Sequence, residues 1–134
     1  MKPENIVIRL RPLQARLIDF NCAMRKEQNT TGINLGTPGY TPKREIYRDG
    51  DPSFDIFALG AVIMEADMDY DEYIRVNTSN MTEKKAEEYI ALRDTHKSLK
   101  TIVKGTLLRG KNFALMSLDD IIKELEQASF KKAW

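Results

Sequence analysis

Asp55-Ile56-Phe57-Ala58-Leu59-Gly60-Ala61-Val62-Ile63-Met64-Glu65 is the stretch around which the chain has to fold. Its apolar residues occupy every side of a helical wheel, so a helix here must be enclosed by protein rather than laid on a surface. The apolar run Ile56 to Met64 is nine residues long, whereas crossing a bilayer takes about 20. The stretch therefore predicts a buried central helix and no membrane span.

Outward from this helix, three further helices are expected downstream. Thr82 can cap one whose apolar residues Ala86, Tyr89 and Ile90 share a face, and Leu99, Ile102, Val103 and Leu107 repeat at helical spacing in the next. Ser117 stands three residues before Asp120, an acidic variant of the capping box, ahead of a stripe formed by Leu118, Ile121, Ile122 and Leu125. Upstream, the segment from Asn29 to Tyr40 is dominated by Asn, Thr, Gly and Pro, within a loop-like region running from about Asn21 to Pro52. Before it, Asn5 to Leu10 and Ala15 to Phe20 are rich in branched apolar residues and flank a turn containing Pro12, which reads as a small hairpin.

At 134 residues the chain has the length of one domain and can bury a core without disulfide or metal staples. Lysine and arginine number 21 against 20 acidic residues, so the excess of positive charge that nucleic-acid binding requires is missing. The charge is nevertheless unevenly spread: residues 1–50 sum to +4, residues 51–72 to −7 and residues 73–134 to +4. Cys22 is the only cysteine and His96 the only histidine, which excludes an intrachain disulfide, a thiolate cluster and a multi-histidine metal site. Met1 to Asn5 has no apolar core of secretory-signal length. A reducing, intracellular compartment, the cytoplasm, is the expected location.

Four separate motifs then fall into the order of one family. Lys2-Pro3-Glu4-Asn5, Leu17-Ile18-Asp19-Phe20, Gly36-Thr37-Pro38-Gly39-Tyr40 and Asp55-Ile56-Phe57-Ala58-Leu59-Gly60 resemble the second half of a eukaryotic protein kinase of the serine/threonine type. The resemblance runs from Met1 to about Gln127 and is weakest between Met68 and Lys97. It implies a mainly α (α+β) fold, the C-terminal lobe over residues 1–134, with a small β-hairpin, a long activation-type loop and a buried central helix. It implies no N-terminal lobe in this chain: the glycine-rich loop, the strand lysine and the glutamate-bearing helix have no counterpart.

Phosphoryl transfer needs oxygen ligands for magnesium, a cation on the phosphates and a carboxylate to orient the attacking hydroxyl. By the resemblance, Asn5 and Asp19 are the two magnesium ligands and Lys2 is the lysine that supports the transferred phosphate, so these three form the vestigial nucleotide site. The proton-accepting carboxylate would stand two residues before Lys2, where the chain has one residue, so the base is absent. Asn21 replaces the family's glycine after Phe20; asparagine tolerates left-handed backbone angles better than most residues. Pro42-Lys43-Arg44-Glu45 replaces alanine-proline-glutamate, with Arg44 in the glutamate position by strict count and Glu45 there only after a one-residue slip. The arginine that normally pairs with that glutamate is matched by Leu115, with Arg109 or Lys111 as substitutes. Losing both partners is milder than leaving one buried charge unpaired.

Thr30, Thr31, Thr37 and Tyr40 lie where active kinases are phosphorylated, although threonines in a loop are ordinarily loop residues. Glu65 stands where basic-substrate kinases keep a peptide-binding glutamate; with Asp67, Asp69, Asp71 and Glu72 it also reads as a solvated acidic loop after a helix. Phe20 matches a residue that packs under the N-lobe, so another protein or a second copy is expected over the open cleft. Cys22 reads as an inert small residue.

Two functions follow. In the first, the chain is a catalytically inactive, pseudokinase-like C-lobe that serves as a protein-binding or structural module in a larger assembly and needs no cofactor. In the second, it is the downstream part of an active serine/threonine kinase that uses ATP and Mg²⁺, with the N-lobe and catalytic aspartate upstream of Met1.

Overall fold

A computed structural model describes residues 1–21, 23, 37, 39–42, 52–68, 82–92, 96–108 and 116–128, apart from the side chains of Thr82, Glu83 and Leu92. Among them the protein is mainly helical, with one two-stranded antiparallel sheet. A 3-10 turn at Pro3–Asn5 leads into β1 (Ile6–Leu10) and β2 (Leu13–Leu17), followed by α1 (Ser53–Ala66), α2 (Thr82–Leu92), α3 (Lys97–Leu107) and α4 (Leu118–Gln127). No helix among the described residues is long and apolar enough to cross a membrane.

The enclosed helix is α1, and its two flanks serve two cores. Phe57, Ala58, Ala61 and Met64 join Tyr40, Ala86, Tyr89, Val103 and Leu107 in the larger one. Ile56, Leu59 and Ile63 pack on the other side against Leu99, Ile102 and Ile121. A helix that supplies both cores has no polar face to spare, which accounts for its lack of amphipathicity. Leu59, at the middle of the apolar run, is only half-buried, so the axis of the fold lies along the Phe57–Ala61–Met64 side.

Helix α3 crosses α1 at a close approach. Gly60 faces Thr106, and a Cβ added to Gly60 would overlap the Thr106 Oγ1 and Cβ atoms. The buried Thr106 hydroxyl donates to the Ile102 carbonyl of its own helix at 2.7 Å, so the polar atom is satisfied without a partner from another element. The expected face Leu99, Ile102, Val103 and Leu107 is buried throughout.

Helix α4 carries the expected capping box in full. Ser117 Oγ accepts from the Asp120 N–H at 3.2 Å, and Asp120 Oδ2 accepts from the Ser117 N–H at 2.9 Å. The Ser117 N–H and the Ser117 hydroxyl, which donates to Asp120 Oδ2 at 2.7 Å, hold the Asp120 carboxyl below its ordinary value. Ser117→Ala is expected to cost about 1 kcal/mol, measured by urea denaturation, while Ser117→Thr, which keeps the hydroxyl, should retain most of that stability. Of the apolar stripe, Ile121 is buried and Leu125 half-buried, but Leu118 is 51% and Ile122 44% exposed. The inward face of α4 is thus half the width that the spacing indicated.

The hairpin is present but shifted. β2 occupies Leu13–Leu17 instead of starting at Ala15, because a two-residue turn at Arg11-Pro12, with a cis peptide between them, sets Leu13 opposite Leu10 and Leu17 opposite Ile6. Asn5 belongs to the 3-10 turn rather than to β1. Nine of the ten strand residues are exposed.

Candidate functional site

The 3-10 turn and the strand that follows bring three of the expected site residues to one end of the hairpin. The Asn5 N–H donates to the Lys2 carbonyl at 3.0 Å, and the Asn5 carbonyl accepts from the Ile18 N–H at 2.8 Å. Asp19, one residue further, therefore stands beside Asn5 across the ribbon. Asp19 has a left-handed φ of 62°. The sequence pointed to Asn21 as the residue for such angles, and the structure places the left-handed conformation at Asp19 instead. Aspartate takes that conformation more readily than most residues because its short polar side chain can bond locally, and here Asp19 Oδ1 accepts from the Asn21 N–H at 3.3 Å. This bond uses one carboxylate oxygen. The side-chain oxygens of Asn5 and Asp19 are hard donors of the kind Mg²⁺ takes, so the residue types fit a magnesium ion and Lys2 a phosphate.

A second group of expected residues meets at the last turn of α1. The Tyr40 hydroxyl donates to Glu65 Oε2, and the Tyr40 ring lies in the larger core. The segment leading to it is folded on itself: the Tyr40 N–H and the Thr41 hydroxyl both donate to the Thr37 carbonyl, at 3.1 and 3.2 Å. Gly39 has a φ of 90°, in the region that favours glycine. Thr37 is exposed, whereas Tyr40 is buried. Glu65 is inside the helix and half-buried, so it is not part of a solvated loop.

Burial pushes the Glu65 carboxyl up from its ordinary value, while the Tyr40 hydroxyl and the Lys85 ammonium pull it down and the Glu4 carboxylate adds to the rise. Met1, just before the 3-10 turn, packs on the larger core that also holds Tyr40 and Met64. The Lys85 ammonium is lowered by burial and raised by Glu65. Two residues on, at the C-cap of α1, the Tyr89 hydroxyl donates to Asp67 Oδ2 at 2.8 Å. Tyr89 was legible as a core residue of α2, but nothing in its spacing from Asp67 signals this bond.

A raised carboxyl means that, between the ordinary value of 4.5 and its folded value, the native state holds a proton the unfolded chain has released. Stability due to Glu65 therefore falls as pH rises through that window and returns on acidification. Asp120 acts oppositely: its contribution is full above 3.8 and is lost as pH falls through its lowered folded value. Glu65→Gln should flatten the pH dependence above 4.5, whereas Tyr40→Phe should push the Glu65 carboxyl higher and cost about 1 kcal/mol at neutral pH. Denaturation curves across mildly acidic to neutral pH check both.

Thr30, Thr31, Cys22, the Lys43-Arg44-Glu45 closing segment, Arg109, Lys111, Leu115, Asp69, Asp71 and Glu72 lie outside the described residues. Phe20 is 66% exposed. Among the described residues the large exposed apolar side chains fall in two places: Val7, Ile8, Leu10, Leu13, Leu17, Ile18 and Phe20 on and beside the hairpin, and Leu118 and Ile122 on α4.

No family model, curated protein or solved structure matches this chain.

Proposed function

We propose that the chain is a protein-kinase-like C-terminal lobe that works as a protein-binding module and transfers no phosphate by itself. The observation that carries this reading is the concentration of exposed apolar side chains between Val7 and Phe20, on the ribbon that also presents Lys2, Asn5 and Asp19. Monomeric proteins rarely leave a contiguous apolar patch of more than a few hundred Å² open to water. A two-stranded ribbon is marginal unless another element packs on it.

Lys2, Asn5 and Asp19 retain the residue types of a nucleotide site, and a bound Mg²⁺–nucleotide would bring the electrophilic phosphorus. Transfer also needs donors that hold the phosphates from above and a carboxylate that orients the acceptor hydroxyl. Nothing in residues 1–134 resembles either, and Asn21 and the Pro42–Arg44 segment depart from the active pattern. Residues 1–134 assayed alone should therefore be indistinguishable from a buffer blank.

The test is a radiolabel assay with Mg²⁺, ATP and generic basic and acidic peptides. Incorporation above the blank that disappears with Asp19→Asn would overturn the proposal. Asparagine is the right replacement because it keeps a side chain suited to the left-handed backbone, whereas alanine would add strain there.

A further inference from the structure

The register of the hairpin separates its side chains cleanly. The pairs Ile6 with Leu17, Ile8 with Ala15 and Leu10 with Leu13 share one face, which is apolar throughout. The pairs Val7 with Arg16 and Arg9 with Gln14 share the other, and Arg11 sits in the turn. Leu10 and Leu13, at the tip, are each 77% exposed. The ribbon is thus an apolar blade backed and tipped by guanidinium groups.

The second exposed apolar site has the complementary character. At 3.6 residues per turn, Leu118, Ile122, Glu126 and Asp119 fall within roughly 100° of arc on α4. Leu118 and Ile122 lie one turn apart, while the acidic residues beside them are exposed. Helix α4 carries Asp119, Asp120, Glu124 and Glu126 against Lys123 alone. An apolar stripe with an acidic border is the counterpart of an apolar blade with a basic tip.

From this match we infer that the partner of the hairpin is the outer face of α4 in a second copy of the chain. The inference rests on the proposed reading of the hairpin as a binding surface and names its occupant. Leu10 and Leu13 of one copy lie on Leu118 and Ile122 of the next, and Arg11 in the turn, with Arg9 held against it by its Nε–Arg11 carbonyl bond, meets Asp119 and Glu126 at the tip. Because the two surfaces differ, the contact is heterologous: each copy offers both halves, and association continues head to tail until it closes into a ring or extends as a filament. Docking also covers the ribbon, which is what a two-stranded sheet needs to be stable.

A heterologous contact has a signature that a symmetric one lacks. Sedimentation velocity of the 134-residue chain should show mass growing with concentration beyond a dimer, and less so at high salt, where the charge match is screened. Leu13→Glu removes one half of the contact and Ile122→Glu the other, so each variant alone should be monomeric. Mixed in equal amounts, they should form a one-to-one dimer that grows no further, from the intact α4 of the first and the intact hairpin of the second. Circular dichroism should show native helix content in both. Leu10→Ser and Leu118→Ser provide a second pair should either carboxylate disturb the fold.

A wild-type chain that stays monomeric at hundreds of micromolar overturns the inference. So does association abolished by Leu13→Glu but untouched by Ile122→Glu, which would mean blade-to-blade pairing, and so does a mixture that stays monomeric. Binding of the chain to anionic phospholipid vesicles that Leu13→Glu abolishes and Ile122→Glu leaves intact, without self-association, would assign the blade to a lipid surface instead. The phosphotransfer assay stands apart from these outcomes: incorporation there removes the module reading whatever the sedimentation shows, and a monomeric but inactive chain removes only the self-pairing.

Discussion

Ile102→Asp is expected to leave the chain unfolded at room temperature, with the helical circular dichroism signal largely lost. Ile102 is 0% exposed at the point where α3 meets α4 and the Leu59 flank of α1. A carboxylate there would have no solvent and no cation among the core residues around it. Burying such a group costs several kcal/mol, comparable with the whole stability of a domain of this size. Ile102→Ala keeps the site apolar and should cost about 2–5 kcal/mol, enough to lower the melting temperature while leaving a folded baseline. Leu59→Asp should be milder than Ile102→Asp, since the half-buried Leu59 position lets a carboxylate turn toward water. Equal losses for the two aspartates would show that the second core is not closed around Ile102.

Gly60→Ala is the second change expected to be severe, and it tests the crossing of α1 and α3 directly. Alanine is the better helix former by about 1 kcal/mol, so propensity alone would make the variant more stable. The added methyl group, however, would occupy the space of the Thr106 Oγ1 and Cβ atoms. Thr106 cannot yield freely, being buried and bonded to the Ile102 carbonyl. Overpacking of this kind costs about 1–3 kcal/mol, with the sign opposite to propensity. The partner change decides the cause: Thr106→Gly should destabilise the wild-type background but lose much of that effect beside Gly60→Ala. A coupling of at least about 1 kcal/mol between the two sites is expected. Gly105→Ala is a milder control, because the atoms it meets belong to the flexible side chain of Met116.

Much of the helical body was legible because its signals are local. The all-round apolar character of residues 55–65 gives α1, the spacing of Leu99, Ile102, Val103 and Leu107 gives α3, and the Ser117–Asp120 pair fixes the start of α4 to the residue. The hairpin was legible as a pair of β-rich runs. Its register was not, because composition cannot tell whether Leu13 ends the turn or begins the strand, and pairing with Leu10 decides it. The stripe on α4 was over-read for a related reason. Periodicity tells which residues share a face but not how much of that face another element covers, and Leu118 and Ile122 lie beyond the reach of α1 and α3.

The candidate site divides along the same line. Lys2, Asn5 and Asp19 were singled out by resemblance alone, and backbone bonds at the base of the ribbon bring their stretches of chain together. Tyr40 and Glu65 were each singled out for separate roles. That they bond to each other is a tertiary fact, and it changes the meaning of both: the tyrosine is a core residue with its hydroxyl occupied, and the glutamate is already engaged within the chain.

The last turn of α1 has a further consequence for how this chain holds together. Glu65 and the C-cap residue Asp67 place negative charge where the helix macrodipole is itself negative, and the last turn contains no basic residue to offset it. Left to itself, this end of α1 would fray. It is held from outside, by hydroxyls from Tyr40 and Tyr89 and by the charge of Lys85. The core helix is thus completed only when α2 and the Tyr40 segment have docked on it, so the three belong to one cooperative unit. Their amide protons should exchange together, at a rate set by global unfolding, rather than in the order of their separate helix propensities.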